Sequence, residues 1–169
     1  LFISIDDLRP ELGCYGQDHI FSPNIDYLAS NSFLFENAVC NVPVCGASRA
    51  SLMTGLRPNK NRFLNFKSRA DIDADSIPTL AEWLRINGYY TISNGKIFHK
   101  LNDSPESWTE KAWRPKKDFR DYLNKENIEI AQKNKGHGPA FEVGTNNTEK
   151  YIDTHVLEKS IRDLNKLKE

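Results

Sequence analysis

Apolar residues in this chain fall into short runs separated by polar stretches, and the spacing within each run decides what it predicts. Leu1-Phe2-Ile3-Ser4-Ile5 is mostly apolar and ends in Asp6-Asp7, the pattern of a buried strand in a parallel sheet. Ser22-Pro23 reads as an N-cap followed by proline at the first helical position, with Ile25, Leu28 and Ala29 on one face. Phe33-Leu34-Phe35 fits a short strand, and residues 38–44 an irregular approach to Cys45. Residues 48–54 predict a short helix, stopped by Gly55 with Pro58 beyond it. Ile77-Pro78-Thr79 opens another, carrying Leu80, Ala81 and Leu84 at helical spacing and ending at Gly88. Residues 89–93 are β-prone and lead into the turn signal Asn94-Gly95. Residues 100–148 are polar and predict long loops with a helical piece near 118–125. Leu157, Ile161 and Leu164 then make an apolar stripe on a helix within residues 153–168. No internal repeat occurs. Helices alternating with strand-like runs give an α/β reading, a mostly parallel sheet flanked by helices.

Composition narrows the classes. A length of 169 residues, 38% hydrophobic and 27% charged, suits one domain with a real core. No apolar run is long enough to span a bilayer. The 23 basic and 23 acidic residues balance overall, and residues 1–100 hold ten of each, so neither half is a nucleic-acid-binding tail. Met53 is the sole methionine, so Leu1 is not a translation start; the expectation is a cut or processed chain, any signal peptide already removed. Three cysteines, Cys14, Cys40 and Cys45, without a C-x-x-C, give neither a disulfide framework nor a zinc knuckle.

Candidate chemistry lies in three places. Asp6-Asp7 sits at a strand end, where α/β sheets gather ligands. Hard oxygen donors there suit Ca²⁺ or Mg²⁺, although pairing with a nearby Arg9 would equally explain them. Cys45 precedes a helix whose unpaired N–H groups favour an oxyanion, and Arg49 follows one turn on. A buried structural cysteine with Arg49 in a surface ion pair is the plain alternative. Only three residues separate Cys45 from Arg49, too few for a cysteine-phosphatase loop. Lys96 and His99 follow the permissive Gly95; taken alone they read as a solvated lysine and a satisfied histidine. Asn102-Asp103-Ser104 and Asn146-Asn147-Thr148 match the glycosylation acceptor pattern, a common coincidence.

Taken in order, these segments resemble the type I sulfatases. The matching stretches are Asp6-Asp7-Leu8-Arg9-Pro10, Gly13-Cys14-Tyr15-Gly16, Ser22-Pro23-Asn24-Ile25-Asp26 and Cys45-Gly46-Ala47-Ser48-Arg49-Ala50-Ser51-Leu52-Met53-Thr54-Gly55. Asn87-Gly88-Tyr89 with Gly95-Lys96-Ile97-Phe98-His99 is most similar to the iduronate-2-sulfatase branch, and Ser107-Trp108 and Gly138-Pro139 fit it more loosely. Ala47 stands where the family usually has proline.

The resemblance implies an alkaline-phosphatase-like α/β fold, with residues 1–169 an N-terminal part of the catalytic domain that depends on the rest of the polypeptide. It implies a sulfuric ester hydrolase for a sulfated carbohydrate, such as a glycosaminoglycan. Cys45 would be converted to Cα-formylglycine by a dedicated maturation enzyme, and Asp6, Asp7 and that residue would bind Ca²⁺, with Mg²⁺ possible. Arg49 would hold the formylglycine, Lys96 would contact it and a sulfate oxygen, and His99 would orient or deprotonate the hydroxyl that expels sulfate. Further metal ligands, a second lysine and the leaving-group histidine are expected beyond residue 169. An extracytoplasmic location (periplasmic, secreted or lysosomal) is implied, with no nucleic-acid partner and no membrane span. A phosphohydrolase or phosphonate hydrolase of the same superfamily, or a non-catalytic carbohydrate-binding relative, are the competing expectations.

Overall fold

The computed structural model describes residues 1–116, 122–144 and 151–168. Among these, helices form where the apolar spacing and the start signals agree. α1 spans Pro23–Ser30, α2 Cys45–Thr54, α3 Ala70–Asp73, α4 Leu80–Ile86, α5 Lys125–Lys133 and α6 Ile152–Lys166, with short 3₁₀ turns at Gly13–Tyr15 and Pro105–Ser107. α4 begins at a capping signal: Thr79 Oγ1 accepts from the Glu82 amide at 3.1 Å, and Glu82 stands three residues on. Thr79 is buried and its hydroxyl also meets Ser107 Oγ at 2.6 Å, which ties the second 3₁₀ turn to α4.

The core is built on α2. Ala47, Ala50 and Met53 of α2 pack with Phe63, Ala70, Ala74, Ala81 and Phe98, edged by Val42, Val44, Leu56, Ile97 and Trp108. The small inward residues let α3 and α4 approach α2 closely. Gly46 carries this further, since a Cβ there would lie 2.3 Å from the Phe66 carbonyl oxygen. α2 stops at Gly55, whose φ of 71° is the left-handed value expected of a helix-ending glycine.

The sheet expected from the sequence does not form within the described residues. Residues 1–5 and 33–35 join no ladder, and their apolar side chains are exposed, Leu1 at 92% and Phe33 at 96%. A parallel strand has no stability of its own; its hydrogen bonds come from neighbouring strands returned by long crossovers. The β-prone segment 89–93 comes closest to a strand. Thr91 O accepts from the Thr109 amide at 2.9 Å, Ser93 O from the Trp113 amide at 3.0 Å, and Asn94 and Trp113 form a single parallel bridge. Its partner is thus the irregular stretch 109–113, not another apolar run.

Helix boundaries differ from expectation in two places. α2 starts at Cys45 rather than Ser48, because the Ser48 amide already bonds to the Val44 carbonyl at 2.9 Å. The helical piece expected near 118–125 does not form in its described part, since residues 122–124 are not helical; α5 starts only at Lys125, capped by Asn124 Oδ1 on the Glu126 amide at 3.0 Å. Residues 117–121 and the acceptor triplet 146–148 lie outside the described residues. α6 lies beside the turn at Asn94-Gly95: Asn94 Nδ2 donates to Asp163 Oδ2 at 2.7 Å, and Asp163 also pairs with Lys159 at 2.6 Å. No helix among the described residues is long and apolar enough to cross a membrane.

Candidate active site around Cys45

Three segments far apart in sequence meet at the start of α2. Cys45 is the first residue of that helix, and its Sγ lies 3.2 Å from His99 Nδ1. Arg49, one turn along and only 8% exposed, reaches away from the helix and donates to four acceptors. They are Ser4 Oγ at 3.1 Å, Asp6 Oδ1 at 2.8 Å, the Lys96 carbonyl at 2.5 Å and the Ile97 carbonyl at 2.9 Å. Lys96 Nζ donates to the other Asp6 oxygen. One carboxylate is therefore clasped by two cations. Asp7 is exposed outside this set of bonds, with a left-handed φ of 56°.

Electrostatics follow from this packing. Burial pushes the Asp6 carboxyl upward, but the hydrogen bonds and charges of Lys96 and Arg49 outweigh it and hold the group below the usual carboxylate range. His99 is pushed below its ordinary value, first by burial and then by the charges of Lys96, Lys100 and Arg114. It is consequently a neutral imidazole near pH 7, able to take a proton. Its ring packs edge-on against Phe66, centroids 5.9 Å apart.

Local charge is uneven. Arg49, Lys96 and Arg114 gather around the single carboxylate of Asp6, and α2 carries no acidic residue in its first turn. Free N–H groups at that helix start and the surplus cations make the place suited to an anion.

For a divalent cation, two adjacent carboxylates are donors of the right hardness, but six to eight oxygens are about what Ca²⁺ takes. Both Asp6 oxygens bond to cations here, so a +2 ion would have to take the place of Lys96; the donors fit in kind. Among the described residues no group of three or more His, Cys, Asp or Glu side chains converges. Any further ligands would have to come from elsewhere.

All three cysteines are free, and Cys45 alone lies beside a histidine and a lysine-bearing loop. Arg9, the alternative partner for Asp6, pairs with Glu11 at 2.9 Å. Sequence reasoning missed two residues. Ser4 sits inside the expected strand and gave no signal, yet it bonds Arg49. Arg114 donates from Nε to the Gly95 carbonyl at 3.1 Å, from Nη1 to the His99 carbonyl at 3.3 Å and from Nη2 to the Phe98 carbonyl. Only the flanking Trp113 and Pro115 marked that stretch as structured.

Comparison with known proteins gives a consistent result. The sulfatase family model matches residues 1–169. Human iduronate 2-sulfatase is 45% identical over 121 residues, covering 68% of this chain and 22% of the human protein. A sulfatase of Formosa agariphila is 33% identical over 132 residues, 74% of this chain and 26% of that protein. Choline-sulfatase of Rhizobium meliloti is 38% identical over 98 residues, 57% of this chain and 19% of that one. The chain spans about a fifth to a quarter of the length of these relatives.

Proposed function

This chain belongs to the sulfatase family, and on that footing we propose that it supplies the nucleophile side of a sulfuric ester hydrolase acting on a sulfated carbohydrate. Membership carries with it the family's alkaline-phosphatase-like α/β fold. The observation that carries the reading is the 3.2 Å approach of His99 to Cys45 across 54 residues of sequence, beside an anion-favouring helix start.

In this reading Cys45 is the precursor of Cα-formylglycine, made by a formylglycine-generating maturation enzyme. Once hydrated, that residue would offer two hydroxyls on one carbon: one would form a bond to sulfur as the sugar alcohol leaves, and loss of the other's proton would expel sulfate and restore the aldehyde. Asp6 and Asp7, with the modified Cys45, would hold Ca²⁺ (or Mg²⁺), which would supply neutralisation of the sulfate's charge and favour ionisation of the nucleophile.

The chain's own residues do the rest. His99 faces the side chain of residue 45 through Nδ1 and, being neutral near pH 7, accepts a proton there. Lys96 presents its ammonium at Asp6 and would turn to a sulfate oxygen. Arg49 is buried and bonded on four sides, so it serves as a fixed cation that also fastens the 95–99 segment to α2. The 45% identity to human iduronate 2-sulfatase supports a sulfated glycosaminoglycan-type sugar as substrate class. An extracytoplasmic location belongs to the same reading.

Peptide mass spectrometry of the complete polypeptide, co-expressed with the maturation enzyme, tests it. Conversion of Cys45 and turnover of an aryl sulfate well above an aryl phosphate are expected. A thiol that persists while a known sulfatase is converted alongside would sink the mechanism, and a preference for aryl phosphate would make the chain a phosphohydrolase.

A further inference from the structure

The segment bearing Lys96 and His99 is neither helix nor strand, so nothing in regular secondary structure fixes it. Its carbonyl groups must find donors elsewhere, since unpaired buried backbone groups are expensive. The two guanidiniums provide them. Arg49 takes the Lys96 and Ile97 carbonyls, and Arg114 takes those of Gly95, Phe98 and His99. Five consecutive carbonyl oxygens are thus held by two arginines from opposite sides in sequence.

Arg49 belongs to the anion site itself. Arg114 adds its charge from nearby, but all three of its guanidinium nitrogens bond to main chain. It is also half-buried, and both burial and the nearby Arg49 disfavour its charge, with Asp6 opposing. A second guanidinium in such a place is an unfavourable choice for packing alone. What it provides is geometry, because a planar fork with several donors fixes the relative orientation of the peptide groups it bridges. Those peptides set the directions of Lys96 and His99. α6 supports the same turn from the other side, with Val156 3.3 Å from where a Gly95 Cβ would lie.

We propose that Arg114 is the positioning residue of the site, holding the 95–99 main chain so that Lys96 and His99 face residue 45. This rests on the sulfatase reading for its kinetic consequence but not for its structural one. In the complete, Cys45-converted protein, R114Q should lower kcat on an aryl sulfate about 30- to 100-fold while KM stays within about threefold, because misplacement by an ångström or so acts on the chemical step. R114K, with a cation but no fork, should recover only part of kcat. Amide hydrogen exchange should quicken across residues 95–99 in R114Q and stay unchanged in α1.

Unchanged kcat with unchanged exchange would overturn the proposal. So would protection lost equally in α1 and residues 95–99, which would make Arg114 a support of the whole fold. If the converted wild-type protein leaves sulfate esters intact while R114Q still frees residues 95–99 alone, the sulfatase reading fails and the positioning role stands.

Discussion

α1 and α2 begin alike and are completed differently. Neither has a side-chain cap from its N-cap residue: Val44 has no polar atom, and Ser22 turns elsewhere. α1 nevertheless carries its own anion. Asp26, its fourth residue, accepts from the Cys14 amide at 2.8 Å and from Ser22 Oγ at 3.1 Å. The same holds for the other α-helices among the described residues: α3, α4, α5 and α6 each have an acid in the first turn. α2 has none. A helix start stripped of negative charge beside Arg49 and Lys96 loses some intrinsic stability and gains an appetite for an external anion. On the proposed reading, this one helix gives up stability for anion binding.

The comparison can be broken most severely at Gly46. G46A would drive a Cβ to 2.3 Å from the Phe66 carbonyl, main chain that cannot swing aside. A loss of about 2–3 kcal/mol in urea unfolding of the complete protein is expected, as for overpacked sites generally. A loss under about 0.5 kcal/mol would mean that α2 is not seated as tightly as its buried alanines indicate.

Ser48 sharpens the contrast, for it is the fourth residue of α2, the place Asp26 takes in α1. S48D would supply the missing acid. Inorganic sulfate, titrated calorimetrically against the unconverted protein, should bind about tenfold more weakly, near 1.4 kcal/mol. Equal binding would show that the helix start does not face the anion.

The converse substitution, D26A, removes the acceptor for Cys14 N and Ser22 Oγ. It should cost about 1 kcal/mol in stability, the ordinary worth of such bonds. A neutral result would mean that α1 is held by its apolar residues instead.

The smallest effect concerns Glu142, the acid that serves the start of α5 from a distance. Burial pushes its carboxyl upward, but hydrogen bonds from the Leu123 amide, Tyr151, Asn127 and the Asn124 amide pull it from 4.5 to about 2. A carboxyl lowered in the folded state stabilises above its unfolded value and loses that contribution as pH falls from about 4.5 toward 2. Protection factors of the Leu123 and Asn124 amides should therefore drop modestly between pH 5 and pH 3, and E142Q should abolish that pH dependence.

Local sequence revealed what local physics controls. Ser22-Pro23 marked the start of α1, Ile77-Pro78-Thr79 that of α4, and the Leu157, Ile161, Leu164 stripe the course of α6. The start of α2 was placed three residues late because Cys45, Gly46 and Ala47 carry no capping chemistry, the very property that suits the site. The sheet was not recovered, since a strand such as 1–5 depends on partners its own residues cannot specify. Likewise, Asp6 meets Arg49 and Lys96 across 43 and 90 residues, and no spacing rule reaches that far. Arg114 belonged to no motif, so its role emerged only from the carbonyls it holds.

The double clasp on residues 95–99 also predicts an order of events. Arg49 reaches that segment from 47 and 48 residues upstream, whereas Arg114 comes from only 15 to 19 residues downstream. The nearer loop closes at lower entropic cost, so the downstream clasp assembles first and the upstream one completes it. If the upstream clasp forms after the folding transition state, loosening it by R49K should hasten unfolding more than it slows folding, which stopped-flow kinetics of the complete protein would read.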